Sequence, residues 1–202
     1  FLRPFELWMR DLLLNRSFAK KLIAKIGEFN LKAAKNCLER GVQSIGWVDD
    51  LGYNEGMFIS PRIYEDVIYP WHKRAIDLAH KYGAFVNMHS HGNINAIMPL
   101  LVKAGLDAIN PVGPSDNMDL KTLKEKYGDR ITLEGGISKF IGEMSQEQLK
   151  EHMKDRVSLG SPGGGYILGS EGGVPVTMTK ENFEFYMEYS KKYRKNHPSR
   201  LC

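Results

Sequence analysis

The chain has 202 residues, of which 42% are hydrophobic and 26% are charged, and its formal net charge is +4. This length suits one domain with a substantial buried core, and the composition is typical of a globular protein. No apolar stretch approaches the roughly 20 residues of a membrane-spanning helix, and the first residues lack the layout of a signal peptide. We therefore expect a cytoplasmic protein that does not bind a membrane.

The cysteines and the basic residues limit which metal ligands and which partners we expect. The two cysteines, Cys37 and Cys202, do not suggest a disulfide framework or a cysteine-based zinc cluster, so any metal must be bound by histidines and carboxylates. The basic run 191–200 finishes a predicted helix. We interpret it as a solvated helix end that complements the helix dipole, and we expect a small-molecule substrate rather than a nucleic acid.

The chain begins with two helical stretches, 5–26 and 28–40, that no strand precedes. Five βα units then follow. The predicted strands are 44–48, 84–89, 107–110, 130–134 and 166–168, and the predicted helices are 62–82, 94–104, 120–127, 145–158 and 180–192. Local signals mark several helix ends: Ser60 and Pro61 form a cap and first-turn pair, Gly105 is a C-terminal cap, and 145–148 resembles a capping box.

Strands that alternate with helices at this spacing predict a parallel sheet. A closed (β/α)₈ TIM barrel needs eight strands and about 250 residues, whereas an open doubly wound sheet can have five strands. We interpret the chain as an α/β protein, the C-terminal five βα units of a TIM barrel whose first strands are absent from the chain. The partial barrel would comprise leading helices (1–40), five βα units (41–192) and a basic tail (193–202).

An unclosed sheet of this kind has a consequence for assembly. Its edge strands present unpaired backbone groups, which promote association with other chains. We therefore expect the protein to associate with itself or to pair with the missing barrel portion.

The most specific chemical feature follows the second predicted strand. Strand alternation places His89 and His91 on the same face, so two imidazoles converge at one strand end. Such a pair suits Zn²⁺, which accepts neutral histidine nitrogens and needs one or two further ligands. A polar pocket lined by hydrogen-bonded histidines without metal is the alternative.

Polar residues also follow the other predicted strands, where parallel architectures bind their ligands. They are Asp49, Asp50 and Asn54 after the first strand, His89, His91 and Asn93 after the second, Asn110 after the third, Glu134 after the fourth, and Ser170 and Glu171 after the fifth. An ordinary scaffold would place glycine, serine or threonine there more often than so many imidazoles and carboxylates.

These residues fall into two groups of candidate roles. Because Asp49 and Asp50 are adjacent, alternation lets one point into the barrel while the other caps a loop. We expect from them a general base or a group that binds a cationic or hydroxylated part of the substrate. Glu134 is a candidate acid, base or metal ligand, with an ion pair to a lysine as the alternative. The candidate substrate-binding residues are Asn54, Met57, Phe58, Asn93, Asn110 and Ser170.

Further histidines and aromatic residues lie within predicted helices. His72 and His80 belong to the helix at 62–82 and His152 to a later helix, and we interpret each as a surface or packing residue. Tyr64 and Trp71 are interpreted as core or helix–sheet contacts rather than as a cofactor site.

Several motifs resemble the uroporphyrinogen decarboxylase superfamily. They are, in order, 49–61 (DDLGYNEGMFISP), Pro70, 89–93 (HSHGN), 164–168 (GGYIL), Pro175 and 181–182 (EN). The resemblance runs from about Phe5 to Tyr189 and implies a (β/α)₈ barrel whose first strands lie in the missing portion. The superfamily contains both decarboxylases and zinc-dependent methyltransferases that move methyl groups between corrinoid proteins and thiols or other acceptors.

The resemblance also implies a departure at the metal site. In the corrinoid methyltransferases the zinc ligands are a His-x-Cys pair and a second cysteine after the last strand, and here His89 matches the histidine while His91 and Gly172 occupy the cysteine positions. In the decarboxylases a substrate-binding histidine lies near this same position, so Gly172 replaces that histidine as well. Glu171 is the neighbour that would complete a zinc shell with an open fourth position. Such harder ligands would favour an oxygen-bearing substrate or water over a thiol.

The resemblance therefore implies, first, a metal-assisted methyltransferase with zinc and with methylcobalamin carried by a corrinoid protein. The alternative is a uroporphyrinogen decarboxylase, which acts on a tetrapyrrole without a cofactor. The acidic residues Asp49, Asp50 and Glu134 disfavour that polycarboxylate substrate. A metal-dependent hydrolase would need further histidines and a carboxylated lysine, and no such set is found in this sequence. A non-catalytic or degenerate binding subunit is the non-enzymatic alternative.

Overall fold

The protein is described by a computed structural model over residues 2–196. The end of the predicted basic tail, including Cys202, lies outside the described residues. Within the described part of the chain, no helix combines the length and the apolar character needed to cross a membrane.

Helices and strands alternate along most of the chain. The helices are α1 (Phe5–Leu14), α2 (Arg16–Leu38), α3 (Pro61–Ile63), α4 (Tyr69–Lys81), α5 (Met98–Ala104), α6 (Leu120–Tyr127), α7 (Gln146–Gly160) and α8 (Lys180–Asn196). The strands are β1 (Ser44–Val48), β2 (Gly52–Tyr53), β3 (Gly56–Met57), β4 (Phe85–His89), β5 (Ala108–Val112), β6 (Thr132–Ile137) and β7 (Tyr166–Ser170). A π-helical turn, Tyr64–Ile68, joins α3 to α4.

The five longer strands form a parallel sheet in the order β1-β4-β5-β6-β7, while β2 and β3 pair as a short antiparallel hairpin. A helix separates each long strand from the next one in the sequence. This arrangement confirms the prediction of a parallel α/β fold built from five βα units, which is part of a TIM barrel.

The chain divides into two compact units, one up to Ile109 and one from Asn110 onward. In the first unit α2 packs against α4, and Gly27 inside α2 lies so close to Trp71 that a Cβ there would be 2.1 Å from the indole ring. The prediction of a helix break at Gly27 is therefore wrong, because this glycine permits close helix packing. The break falls at Asn15, whose side chain caps the start of α2.

The two faces of β4 differ strongly in burial. Val86 and Met88 are fully buried, and Ser90 just beyond the strand is buried as well, whereas Phe85 is 66% exposed. His89, on the same face as Phe85, is partly buried. The predicted alternation is confirmed, and it places His89 on the more open face of the strand.

The second unit has a core of its own between β6, α7 and α8. Its buried centre consists of Ile137, Ile141, Leu149 and Met153, and aromatic residues of α8 pack against it. The capping box at the start of α7 is present, with Ser145 and Gln148 each binding the backbone of the other. This packing fixes the ends of the strands that carry the candidate residues of this unit.

Three strands extend further than predicted, which changes the place of three candidates. β6 continues through Gly135 and Gly136 to Ile137, so Glu134 lies inside the strand rather than at its end. β5 continues to Val112, so Asn110 also lies before the end of its strand, and β7 continues to Ser170, which is therefore a strand residue. These differences arise because glycine or proline, which are typical of turns, lies within each of these strands.

Candidate functional site

The residues that follow β1 and β4 meet at the carboxyl end of the first unit's strands. Val48 and His89 are aligned in the two parallel strands, and the backbone N–H of Asp49 donates to the carbonyl oxygen of His89 at 2.9 Å. Asp49, Asp50, His89 and His91 therefore lie at one end of this strand pair. The structure thus brings together candidates that are about forty residues apart in the sequence.

Asp50 is the aspartate that caps the loop after β4. Its Oδ1 accepts the backbone N–H of His91 at 2.9 Å and lies 3.9 Å from Nε2 of His89. The rings of His89 and His91 are 4.8 Å apart and nearly perpendicular. Below them, the buried hydroxyl of Ser90 accepts the backbone N–H of Leu51 at 3.2 Å, which ties the two strand ends together.

Asp49 belongs to a second network, which the sequence interpretation missed. Its Oδ2 lies 3.2 Å from Nε2 of His72, and Nδ1 of His72 lies 2.9 Å from the hydroxyl of Tyr64. Tyr64 is fully buried and His72 is 8% exposed, so His72 is not a surface residue. Their eight-residue spacing, which places two helical residues on one face, was the signal available in the sequence.

The buried hydroxyl of Tyr64 has a defined role in this network. Burial raises the pKa of Tyr64 well above its usual value, and the negative charge of Asp49 adds a smaller increase. Tyr64 therefore stays neutral, and its hydroxyl can donate a hydrogen bond to Nδ1 of His72. The other ring nitrogen then carries the hydrogen that faces Asp49.

A cavity of about 450 Å³ lies beside the hairpin of the first unit, and Met57, Phe58 and Asn93 line it. The hairpin is fixed to the loop after β4, because the N–H of Asn93 donates to the carbonyl oxygen of Tyr53 at 2.8 Å. Asn54 occupies the turn between β2 and β3. Three of the predicted substrate-binding residues thus share one cavity, whose wall does not include His89 or His91.

Close backbone contact keeps the hairpin and this loop together. Gly92 has a φ of +90°, and a Cβ at this position would lie 2.0 Å from the carbonyl carbon of Gly52. Only glycine fits both the backbone conformation and the contact.

In the second unit, Glu171 follows β7 and is only 2% exposed. Its Oε1 accepts the hydroxyl of Ser115 at 2.5 Å and the backbone N–H of Lys139 at 2.8 Å, and its Oε2 accepts the backbone N–H of Ser115 at 3.1 Å. The carboxylate also fills the space beside Gly113, where a Cβ would lie 1.8 Å from Oε2. Both carboxylate oxygens are thus engaged with the segments that follow β5 and β6.

The other candidates of the second unit lie on its strands. Glu134 is a partly exposed residue of β6, aligned with Ile167 of β7. Asn110 is a partly exposed residue of β5, and Ser170 ends β7, where its hydroxyl accepts the backbone N–H of Gly172 at 3.3 Å.

The predicted zinc shell can be tested against these positions. Over residues 2–196, no three histidine, cysteine, aspartate or glutamate side chains are grouped so that they could hold one metal ion. Glu171 uses its oxygens for Ser115 and Lys139, and the two imidazoles alone leave a zinc shell incomplete. Glu171 is thus engaged within its own unit, and neither unit by itself holds three such ligands among the described residues.

Comparisons with known proteins place this geometry in a family context. The model of the uroporphyrinogen decarboxylase (URO-D) family matches residues 2–193. The methylcobamide:CoM methyltransferase MtbA of Methanosarcina acetivorans is 22% identical over 196 residues, which cover 94% of this chain and 53% of that protein. The solved structure of a methyltransferase from Methanosarcina mazei has a TM-score of 0.71 at 17% identity, covering 93% of this chain and 53% of that chain. The chain thus spans about half the length of these relatives.

Proposed function

This chain belongs to the uroporphyrinogen decarboxylase (URO-D) family, and we propose that it is the part of a methyltransferase that binds the methyl acceptor and removes its proton. The methyl group would come from a corrinoid protein, as the name of the relative MtbA suggests. The observation that carries the proposal is the cluster of Asp50, His89 and His91 at the carboxyl ends of β1 and β4. We place the reaction in the cytoplasm.

An imidazole beside a carboxylate is suited to accept a proton. The Oδ1 atom of Asp50 lies 3.9 Å from Nε2 of His89, so the carboxylate can stabilise the positive charge that the ring gains. In the proposed step, the acceptor gives its proton to His89 and uses the freed electron pair to attack the methyl group. A methylcorrinoid, when bound, would supply that methyl group in electrophilic form and would keep the electron pair of the broken cobalt–carbon bond.

The acceptor would be a small oxygen-bearing molecule rather than a thiol. The cavity of about 450 Å³, whose wall includes neither His89 nor Asp49, would hold only the part of the acceptor that does not react. Its apolar wall at Met57 and Phe58 and the amide of Asn93 suit a compact molecule. Asp49 would bind the polar group of the acceptor. Asn54, in the turn of the neighbouring hairpin, would be a further substrate contact. Because neither unit by itself holds three such ligands among the described residues, no step is assigned to a metal.

The proposal is tested by supplying methylcobalamin together with phenol, methanol or coenzyme M to the polypeptide that carries this chain. We expect methyl transfer to phenol or methanol, and about 100-fold slower transfer in His89→Ala and Asp50→Asn. His80→Gln is the matched control, because His80 lies on α4 with an exposed side chain and pairs with Asp107 outside the cluster. Transfer that is unaffected by the first two substitutions would contradict the assignment.

The main alternative is decarboxylation of uroporphyrinogen, which the description of the family model suggests. Two aspartates at the strand ends oppose a substrate rich in carboxylates, because like charges repel. Release of CO₂ from uroporphyrinogen in the same preparation, without methyl transfer, would favour the decarboxylase. Failure of both reactions would favour a binding subunit.

Assembly is a separate part of the proposal. β1 lies at the edge of the sheet, and Val48 on this strand is 74% exposed. We propose that the chain pairs with itself or with a polypeptide that supplies further βα units. Light scattering of the purified chain tests this, and a uniform monomer would contradict it.

A further inference from the structure

Helix α4 carries two histidine–aspartate pairs that differ in burial. Nε2 of His72 lies 3.2 Å from Oδ2 of Asp49, directly after β1, and Nε2 of His80 lies 2.8 Å from Oδ2 of Asp107, directly before β5. The side chain of His72 is 10% exposed, whereas that of His80 is 41% exposed. The buried pair is thus at the carboxyl end of a strand, where parallel sheets place their ligands.

The ring of His72 is held on three sides. Tyr64 donates its hydroxyl hydrogen to Nδ1, Asp49 lies against Nε2, and the indole of Trp47 packs on the ring at 4.7 Å between centroids. Trp47 and Asp49 are two residues apart at the end of β1, so they approach α4 from the same face. Because the carboxylate of Asp49 can only accept, this arrangement favours one ring orientation and the tautomer with its hydrogen on Nε2.

The side chain of Asp49 is more exposed than the ring that it contacts. Its side chain is 37% exposed, so it is open to solvent while its partner is nearly enclosed. The contact with His72 engages Oδ2, and Oδ1 is the second oxygen of the same carboxylate. A carboxylate oriented through one oxygen presents the other in a fixed direction.

We propose that His72 and Tyr64 are positioning residues that orient Asp49 toward the methyl acceptor. This inference deepens the proposed function and rests on it, because Asp49 is there assigned to bind the polar group of the acceptor. His72 acts through Asp49 and does not itself touch the acceptor.

The exposed pair, His80 and Asp107, has a structural role instead. Oδ2 of Asp107 also accepts the backbone N–H of Val86 at 2.7 Å, so this aspartate holds the start of β4. Because His80 is exposed, its contact with Asp107 contributes little to stability. His80→Gln is therefore a matched control for His72→Gln, with the same substitution on the same helix.

The first test is nitrogen and proton NMR of the imidazole rings, recorded without corrinoid or acceptor. We expect His72 in wild type to give the signals of a single tautomer with hydrogen on Nε2. In Tyr64→Phe, which removes only the hydroxyl, we expect the second tautomer to appear. A wild-type ring with hydrogen on Nδ1, or one that already populates both tautomers, would overturn the proposal.

The second test is kinetic, with methylcobalamin and phenol. We expect His72→Leu to raise the KM for phenol about 10-fold with a smaller change in kcat, because a misoriented Asp49 weakens acceptor binding. His72→Gln restores a donor near Nε2 and should recover much of the loss. His80→Gln should behave as wild type. An unchanged KM in folded His72→Leu, checked by circular dichroism, would overturn the proposal.

The two tests separate this inference from the function on which it rests. A wild-type protein that does not methylate phenol, methanol or coenzyme M would refute the proposed function. The NMR result on wild type and Tyr64→Phe would then decide the network alone: a single tautomer that depends on Tyr64 supports it, and any other outcome refutes it.

Discussion

The strand ends of the two units carry the same kinds of side chain but use them differently. In the first unit, the side chains of Asp49 and Asp50 are 37% and 52% exposed and lie near imidazoles. In the second unit, Glu171 is 2% exposed and accepts three hydrogen bonds through its two oxygens. An acid after a parallel strand is therefore available for chemistry only where backbone N–H groups do not already surround it.

The histidines of the two units differ in the same way, because one binds side chains and the other binds backbone. His72 in the first unit binds side chains on both ring nitrogens, whereas Nε2 of His152 in the second unit accepts the backbone N–H of Ser138 at 3.1 Å. The segment after β6 is thus held by an imidazole at Ser138 and by a carboxylate at Lys139. We infer that the strand ends of the second unit mainly hold loops in place, and that those of the first unit contain the reactive groups.

The largest effect that we expect comes from removing the carboxylate of the second unit. Glu171→Ala leaves the backbone N–H groups of Ser115 and Lys139 without their acceptor, and it should lower the free energy of unfolding by about 4 kcal/mol. Urea titration followed by circular dichroism measures the loss. Glu151→Ala is the control, since Glu151 is exposed and its ion pair with Lys154 is exposed too, and it should change stability by less than about 0.5 kcal/mol.

The same variant distinguishes a loop-holding carboxylate from a metal ligand. If Glu171 held zinc, Glu171→Ala would lower the zinc content of the purified protein while leaving the stability of a metal-free sample unchanged. That result would break the comparison between the two units, because the acid of the second unit would then take part in the chemistry.

A smaller effect is expected in the first unit, where close backbone contact holds the loops. Gly92→Ala combines a φ of +90° with a Cβ only 2.0 Å from the backbone of Gly52, and should cost about 3 kcal/mol. Gly83→Ala has a φ of +69° but no atom within 4 Å of its Cβ, so it should cost only about 1 kcal/mol. Urea titration of both variants isolates the contact from the backbone conformation. Equal losses would show that the hairpin is not held in this way.

Much of the fold was predictable because its signals are local. β1 and α6 have the predicted bounds, and the caps at Ser60, Gly105 and Ser145 are present, since each depends on a few neighbouring residues. The predictions failed where a glycine serves tertiary packing or lies within a strand. Gly27 was interpreted as a helix break, and Gly135 as the end of a strand.

The candidate site was less predictable, because burial depends on distant residues. The sequence indicated that His89 and His91 share a strand end, but not that His72 on α4 reaches Asp49. Likewise, Glu171 was proposed as a metal ligand because it is the neighbour of Gly172, and its partner Ser115, 56 residues earlier, cannot be identified by spacing alone. Strand alternation gives the side of the sheet, whereas hydrogen-bond partners come from the packing of whole elements.

The smallest effect that we expect is a pH dependence of stability in the second unit. Burial lowers the pKa of His152, and the positive charge of Arg156 lowers it further. The N–H of Ser138 needs an unprotonated Nε2 as its acceptor. The unfolded chain binds a proton near the usual histidine pKa of about 6.5, whereas the folded protein binds it only at lower pH. Between these two values the unfolded state holds more protons, so the free energy of unfolding should fall as the pH is lowered through that window.

His152→Gln tests this dependence, because the glutamine oxygen can accept the N–H of Ser138 but does not titrate. Urea titrations between about pH 7.5 and about pH 5 should show the stability of wild type falling relative to the variant on the acid side, where wild-type His152 resists protonation. A stability difference that stays constant over this range would mean that His152 is not held neutral by the backbone. The second unit would then resemble the first, in which the imidazoles are bound by side chains.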